Sequence, residues 1–338
     1  MIRLLLATSL LCAAGPDAAR LSDEALALAQ SGRFAEAEKR WAAALEINPN
    51  FFPALFNLGL RRYAEKDYET AARLLAQAVA LEPRDFNTRF LAGAALSALG
   101  RTEEALRHWR AAQKLNPYHL RLLQLMIVEY GKGRYFQEAA GIARTLLEQN
   151  PAEPDPWFIA IKAFQDAGEY QLAADAARRA VERFPNSARA HFEYGFHLQK
   201  TGASEEALSH LRRAIQLDPG YEEPPFFLAD LLMRLDRPAE ALPYAERAVA
   251  LKQDYVAARV LLARILLKLN QPAKALALLE ETVRLAPDHP QPYLLLAQIY
   301  FQQGDEQKAR RARQVSSELR RKNPALLEAA QGRPFPDQ

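Results

Sequence analysis

Apolar and polar residues follow one pattern along most of the chain, and that pattern recurs every 34 residues. Each repeat contains two amphipathic stretches, which are separated by a short polar turn and followed by a second turn that usually contains proline. The pattern therefore predicts two antiparallel helices in each repeat. Counted from Ala18, the nine predicted repeats are 18–51, 52–85, 86–119, 120–153, 154–187, 188–221, 222–255, 256–289 and 290–323.

Prolines and small residues keep the same register throughout. Proline recurs at Pro49, Pro83, Pro117, Pro151, Pro185, Pro219 and Pro287, with Gln253 in the one intervening repeat. Alanine occupies one position of every repeat, at Ala37, Ala71, Ala105, Ala139, Ala173, Ala207, Ala241, Ala275 and Ala309. A second position is small at Ala25, Gly59, Gly93, Gly195, Ala229, Ala263 and Ala297. Because large side chains would keep paired helices apart, we expect the two small positions to lie between the helices.

In most repeats the inner turn contains a residue that tolerates a left-handed backbone. These residues are Gly32, Gly100, Gly168, Gly202 and Gly304, with Asp236 and Asn270 in two further repeats. Such residues commonly end a helix in the left-handed conformation. Thr102 and Ser204 come soon afterwards and are predicted to be N-caps of the second helices.

These features resemble a tetratricopeptide repeat array that covers about residues 18–323. The segment ALFNLGLRRYAEKDYETAARLLAQAVALEP is among the stretches most similar to that family's pattern. The resemblance implies an all-α fold, a right-handed α-solenoid superhelix of antiparallel helix pairs. In such an array each repeat packs only on its neighbours. Residues 324–338 are predicted to form a short capping helix and a disordered tail.

The resemblance also implies that function lies on the concave face, which the first helix of each repeat lines. Counted from Ala18 as position 1, the groove positions are 2, 5, 6, 9, 12 and 13. The predicted partner-binding residues are Phe56, Asn57, Phe90, Gln124, Phe158, Lys162, Phe192, Phe196, Phe226, Asp230 and Arg264. Position 5 is phenylalanine in five of six consecutive repeats. These rings either pack between successive helices as core or form an apolar surface for a partner.

The chemistry of these positions favours a protein or peptide partner. Chaperone-binding arrays of this family hold a peptide carboxylate with lysine and asparagine in the groove. Here position 5 is mostly phenylalanine, and position 9 is Leu26, Leu60, Ala94 and Val128 in the first four repeats. We therefore expect an interaction scaffold for an extended apolar peptide or an amphipathic helix, without that carboxylate clamp.

The overall charge gives little support to a nucleic-acid partner. Lysine and arginine total 44 against 41 aspartate and glutamate, a formal net charge of +3. The segment 308–322 contains seven lysine and arginine residues and one glutamate, which we interpret as a solvated outer helix face. RNA binding of the pentatricopeptide type is a further hypothesis, but the near-neutral charge and the strict proline register disfavour it.

No motif in the sequence indicates catalysis or metal binding. None of the six histidines pairs with another at the i, i+3 or i, i+4 spacing that places two ligands on one helix face. No glycine-rich phosphate loop or nucleophile elbow is present. We therefore expect no cofactor, no metal and no enzymatic activity.

The N-terminal segment MIRLLLATSLLCAAG is typical of a secretory signal peptide, because a cation precedes a short apolar run and small residues. Residues 1–14 are the predicted signal, with cleavage after Ala14, and a periplasmic or secreted location follows. Cys12 leaves two alternatives open. Lipidation at Cys12 would anchor an outer-membrane lipoprotein that acts in assembly of the cell envelope, although Leu11 departs from the lipobox pattern. An uncleaved segment would leave a cytoplasmic protein.

Overall fold

The computed structural model describes residues 16–322, which form eighteen α-helices and no β-strand. The first helices of the repeats are α1 Pro16–Gln30, α3 Phe52–Ala64, α5 Phe86–Ala98, α7 Leu120–Lys132, α9 Asp155–Asp166, α11 Ala188–Thr201, α13 Glu223–Arg234, α15 Val256–Lys268 and α17 Pro290–Gln302. The second helices are α2 Phe34–Ile47, α4 Tyr68–Leu81, α6 Thr102–Leu115, α8 Phe136–Glu148, α10 Tyr170–Arg183, α12 Ser204–Leu217, α14 Pro238–Leu251, α16 Pro272–Leu285 and α18 Glu306–Lys322. The protein is therefore an all-α helical repeat.

The described residues form two compact bodies, one that ends at Ala176 and one that begins at Ala177. The described core of the N-terminal body includes one cluster around Trp41 and Leu55 and another around Leu75 and Leu91. The C-terminal body has a core that runs through its successive helix pairs, and Leu232 belongs to it. Both cores are built in the same way, with apolar stripes of neighbouring helices packed on one another.

The two small positions lie where paired helices come closest. A Cβ atom added to Gly59 would lie 2.8 Å from Cγ of Leu75, and one added to Gly93 would lie 2.3 Å from Nε1 of Trp109. Ala207 and Ala241 have no exposed surface. The predicted close approach is confirmed at these positions, because a larger side chain fits at Gly59 or Gly93 only if the Leu75 or Trp109 side chain moves.

The turn inside each repeat has the predicted left-handed residue. The backbone φ is positive at Gly32, Gly100, Gly168, Gly202, Asp236, Asn270 and Gly304, between 55° and 87°. Lys66 and Arg134 occupy the same position in the second and fourth repeats and have φ of 65° and 61°. The position in the repeat therefore imposes the conformation even where the side chain does not favour it.

The predicted N-cap role of Thr102 and Ser204 is wrong. Both residues are the first helical residue, and the residues before them, Arg101 and Ala203, make no side-chain cap. The hydroxyl of Thr102 donates instead to the carboxylate of Glu129, at 2.7 Å. Each of these second helices therefore begins one residue earlier than predicted, with Arg101 or Ala203 at the N-cap position.

The outer turns share an interaction that joins one repeat to the next. In four repeats a side chain at position 4 donates to the backbone carbonyl of the proline six residues earlier: Arg89 to Pro83 at 2.5 Å, Trp157 to Pro151 at 3.0 Å, His191 to Pro185 at 3.0 Å and Tyr293 to Pro287 at 3.1 Å. Arg259 makes the same bond to Gln253 at 2.6 Å. The turn uses the carbonyl as acceptor, so glutamine can replace proline there without loss of this bond.

The predicted signal peptide, residues 1–14, and the predicted capping helix and tail, residues 324–338, lie outside the described residues. Among the helices between residues 16 and 322, none combines the length and the apolar composition that a transmembrane span requires.

Candidate partner-binding site

The first predicted site residues, on α3, are buried. Phe56 is 3% exposed and Asn57 is 2% exposed. The ring of Phe56 is stacked on Phe52, with centroids 6.1 Å apart, and it belongs to a core cluster that includes Leu91 of the next first helix. Phe56 therefore packs between successive repeats and offers almost no surface to a partner.

The other predicted residues of the N-terminal body differ in exposure. Phe90 is half-buried between the rings of Phe86 and His119, with centroid distances of 5.9 and 5.6 Å. Phe158 is buried, and Gln124 is half-buried. Lys162 is exposed, and its ammonium lies 3.4 Å from the carboxylate of Asp166, one helical turn later. Of these positions, Lys162 presents the most open side chain.

Three predicted phenylalanines meet in one aromatic cluster of the C-terminal body. The cluster consists of Phe192, Phe196, Tyr221, Phe226, Phe227 and Tyr255, with adjacent centroids 5.0 to 6.3 Å apart. Such pairs contribute about 0.5–1.5 kcal/mol beyond the burial of their area. Burial raises the pKa of the Tyr221 and Tyr255 hydroxyls. The cluster is mainly structural, since Phe226 is buried and the rings of Phe192 and Phe196 are half-buried.

The burial distinguishes the two interpretations of the position-5 phenylalanines. Phe56, Phe158 and Phe226 are buried, whereas Phe90 and Phe192 keep partial exposure. Packing between successive helices therefore accounts for most of the ring surface. Direct contact of a partner with these rings stays a prediction.

A pocket of about 420 Å³ lies beside α13, α15 and α17 of the C-terminal body. Its lining residues are Met233, Arg264, Leu267, Lys268, Asn270, Pro272, Leu295, Gln298 and Gln302. All of them except Asn270 and Pro272 occupy predicted groove positions 6, 9, 12 or 13 on three successive first helices. The pocket therefore has an apolar part and a polar part on the side that the repeat register assigns to a partner.

Predicted residues Asp230 and Arg264 both occupy position 9, one repeat apart. Arg264 is exposed and lines the pocket, whereas Asp230 lies outside the lining and is 3.3 Å from the guanidinium of Arg234. The prediction omitted Lys268, Gln298 and Gln302. Reading positions 9 and 13 in the last two repeats would have identified these three residues.

Two large apolar side chains of α17 are also open at groove positions. Leu294 is 44% exposed at position 5, and Phe301 is 57% exposed at position 12. The guanidinium of Arg313, on α18, lies 5.5 Å from the centroid of the Phe301 ring. Exposed large apolar side chains on a helix that also lines a pocket are typical of a surface that a partner covers.

Two buried ionisable side chains of the first helices, Glu129 and His197, lie at position 10, outside the predicted groove positions. Glu129 accepts hydrogen bonds from Ser97, Thr102 and Lys132, at 2.6, 2.7 and 2.9 Å, and these donors outweigh burial and lower the pKa of the carboxyl. His197 occupies the equivalent position two repeats later. Burial lowers the pKa of His197 to about 4, and neither ring nitrogen has a hydrogen-bond partner among the described residues.

A pair of histidines meets across α11 and α12, which the sequence spacing did not reveal. Nδ1 of His191 lies 2.8 Å from Nδ1 of His210, and Nε2 of His191 lies 3.0 Å from the carbonyl of Pro185. Because that carbonyl can only accept, Nε2 of His191 carries a proton and Nδ1 accepts from His210 in the neutral pair. Burial lowers the pKa of both rings.

The described residues contain no group of three or more histidine, cysteine, aspartate or glutamate side chains that could hold a metal ion. The histidine pair therefore has the geometry of a structural hydrogen bond, with two nitrogens where a typical zinc site uses three or four ligands.

Two family models match the sequence. A tetratricopeptide repeat model matches residues 22–86, 56–119 and 160–222. A model described as anaphase-promoting complex, cyclosome, subunit 3 matches residues 234–314. No curated protein matches the chain.

Several solved structures are similar in fold. A crystal structure of MamA is 20% identical, with a TM-score of 0.45, and the match covers 49% of this chain and 96% of MamA. YrrB, described as a TPR protein with an unusual peptide-binding site, is 19% identical, with a TM-score of 0.45, and the match covers 56% of this chain and 98% of YrrB. MamA from Desulfovibrio magneticus RS-1 is 20% identical, with a TM-score of 0.43 and coverage of 50% and 96%.

The repeat models match segments that carry the 34-residue register, and the described helices alternate in the order of that register. The chain belongs to the tetratricopeptide repeat proteins.

Proposed function

We propose that the protein is an interaction scaffold that binds a segment of a partner protein at the groove positions of α13, α15 and α17. The segment is an extended apolar peptide or an amphipathic helix. One observation carries the proposal: Leu294 and Phe301 are exposed on α17, next in sequence to Leu295 and Gln302, which line a pocket formed by three successive first helices. Tetratricopeptide repeat proteins bind protein partners, which is consistent with this use of the surface.

The size and composition of the surface suit a short segment. The pocket has room for one or two side chains, and Met233, Leu267 and Leu295 give it an apolar part. A side chain that covers apolar surface there would contribute about 1.5–3 kcal/mol. A few such contacts give micromolar affinity after the cost of ordering the segment.

We also propose that the protein is exported, because residues 1–14 have the order of a signal peptide. Mass spectrometry of the N-terminus of the protein from its native cells tests this. A terminus at Gly15 supports cleaved export, a lipid-modified Cys12 supports the anchored alternative, and a terminus at Met1 or Ile2 contradicts export.

Introducing charge at the exposed apolar residues tests the interaction surface. Leu294→Asp together with Phe301→Asp is expected to lower partner recovery about tenfold or more, because both side chains lose their apolar contacts with the segment. The measurement is quantitative mass spectrometry of proteins captured with the tagged chain from its native cells. Each variant is first checked for unchanged helicity by circular dichroism.

Leu285→Asp is the matched control. Leu285 is 53% exposed, but it is the last residue of a second helix, α16, at a position outside the predicted groove. We expect this variant to recover the partner at the wild-type level. Equal recovery by the wild type and the double variant would contradict the proposal.

A further inference from the structure

The charges around the pocket are one-sided. Arg264 and Lys268, one helical turn apart on α15, line it, and no carboxylate does. Gln298 and Gln302 occupy the equivalent positions of the next repeat and bring two amide groups. The polar part of the lining can therefore donate hydrogen bonds to an anion from both α15 and α17.

Arg264 is the cation that is available to a ligand. Within residues 16–322 it has no ion pair and no hydrogen bond, although it is exposed at the pocket. Two acidic residues of the preceding repeat are paired with other cations: Asp230 pairs with Arg234 at 3.3 Å, and Asp236 pairs with the pocket residue Lys268 at 3.1 Å. The Asp236–Lys268 pair is highly exposed on both sides, so it contributes little to stability, and a ligand can take the place of Asp236.

Next to these cations the pocket is apolar. Met233, Leu267 and Leu295 contribute half-buried side chains from α13, α15 and α17. An arginine beside apolar surface pairs more strongly with a carboxylate than a fully solvated arginine does, because less water screens the pair. The lining thus offers a cation and an apolar contact within one cavity.

We infer that the pocket binds a carboxylate-bearing side chain, aspartate or glutamate, that is adjacent to an aliphatic side chain of the partner segment. The carboxylate pairs with Arg264 and accepts from the amide of Gln298 or Gln302, while the aliphatic side chain covers Leu267 and Leu295. This inference rests on the proposed function and specifies the chemistry of the segment. An acidic and aliphatic segment replaces the purely apolar one that the position-5 phenylalanines suggested.

Two labelled peptides test the inference on the full chain. One is a fluorescein-labelled octapeptide of alternating aspartate and leucine, and the other replaces each aspartate with asparagine. By fluorescence anisotropy at low salt, we expect the aspartate peptide to bind about tenfold more tightly than the asparagine peptide. The preference is expected to shrink as salt is raised, because salt screens the ion pair.

Arg264→Glu is expected to lower the affinity for the aspartate peptide about tenfold or more and to leave the asparagine peptide within about twofold. A third octapeptide, of alternating lysine and leucine, is expected to bind this variant more tightly than the wild type. Arg284→Glu is the matched control, because Arg284 is an exposed arginine on the second helix of the same repeat and the net charge changes equally.

Equal binding of the aspartate and asparagine peptides, or an equal effect of Arg264→Glu and Arg284→Glu, would overturn the inference. Binding of both peptides without preference would leave the proposed function standing with an uncharged segment. Failure of every peptide to bind would also overturn the inference. The proposed function would still be decided separately, by comparing partner recovery between the wild type and the Leu294→Asp, Phe301→Asp double variant.

Discussion

Replacement of Gly93 by alanine is expected to destabilise the N-terminal body by about 1–3 kcal/mol. The same substitution normally stabilises a helix, because alanine has the higher helix propensity. Here the new Cβ atom would lie 2.3 Å from Nε1 of Trp109 and 2.4 Å from Cδ1 of the same ring. Trp109 is buried and donates to the carbonyl of Phe90 at 2.9 Å, so its ring cannot move without loss of that bond.

Gly141→Ala is the matched control in the same body. Gly141 lies within α8, and no atom outside its own turn lies within 4 Å of an added Cβ. We expect this variant to be stabilised by about 0.5–1 kcal/mol. Amide hydrogen exchange of α5 and α6 for the first variant, and of α7 and α8 for the second, reports the local free energies of opening. Stabilisation in both variants would contradict the close packing of Gly93 on Trp109.

Acidification is expected to destabilise the C-terminal body, with His197 as the largest identified contributor. The pKa of His197 is about 4 in the folded chain and about 6.5 in an unfolded one. Between these values the unfolded chain binds a proton that the folded chain does not, so stability falls as pH is lowered from about 6.5 towards 4. Burial is the main cause, and the nearby ammonium of Lys200 acts in the same direction.

His197→Leu tests this contribution. Leu231, Ile265 and Ile299 fill the same position in the following repeats and are buried, so leucine suits the site. Relative to the wild type, the variant is expected to gain about 2 kcal/mol more stability at pH 5 than at pH 8. Urea denaturation at both values, followed by circular dichroism, measures that difference.

The His191–His210 pair also loses stability on acidification. Protonation of Nδ1 of His191 would place its N–H group against the N–H group on Nδ1 of His210. The histidine pair is present in both the wild type and His197→Leu, so its contribution cancels from the difference in stability between the two proteins. An equal gain of His197→Leu at pH 5 and at pH 8 would contradict the assignment to His197.

The fold could be predicted from the sequence alone, because particular residue types recur at fixed positions of the repeat and each has one structural role there. Proline after the second helix, alanine between helices and glycine in the inner turn recur at 34-residue intervals. Lys66 and Arg134 show the limit of this approach. Their side chains do not favour a left-handed backbone, and only the register indicates that they adopt one.

The candidate site was less predictable, because burial depends on side chains from neighbouring repeats. Phe56 and Phe158 share position 5 with Leu294, yet the phenylalanines are buried and Leu294 is exposed. The bond from position 4 to the carbonyl of the outer turn uses arginine, tryptophan, histidine and tyrosine in different repeats. No single residue type marks that bond, so sequence inspection does not reveal it.

Site-specific photo-crosslinking tests the proposed binding surface most directly. Benzoylphenylalanine replaces one residue at a time in the chain in its native cells, which are then irradiated. The three positions are Phe301, the half-buried Phe192 of the aromatic cluster, and Leu285. We predict that one partner protein crosslinks strongly at Phe301, weakly at Phe192 and not at Leu285. Crosslinking of the same partner at Leu285 with equal or greater yield than at Phe301 would contradict the account.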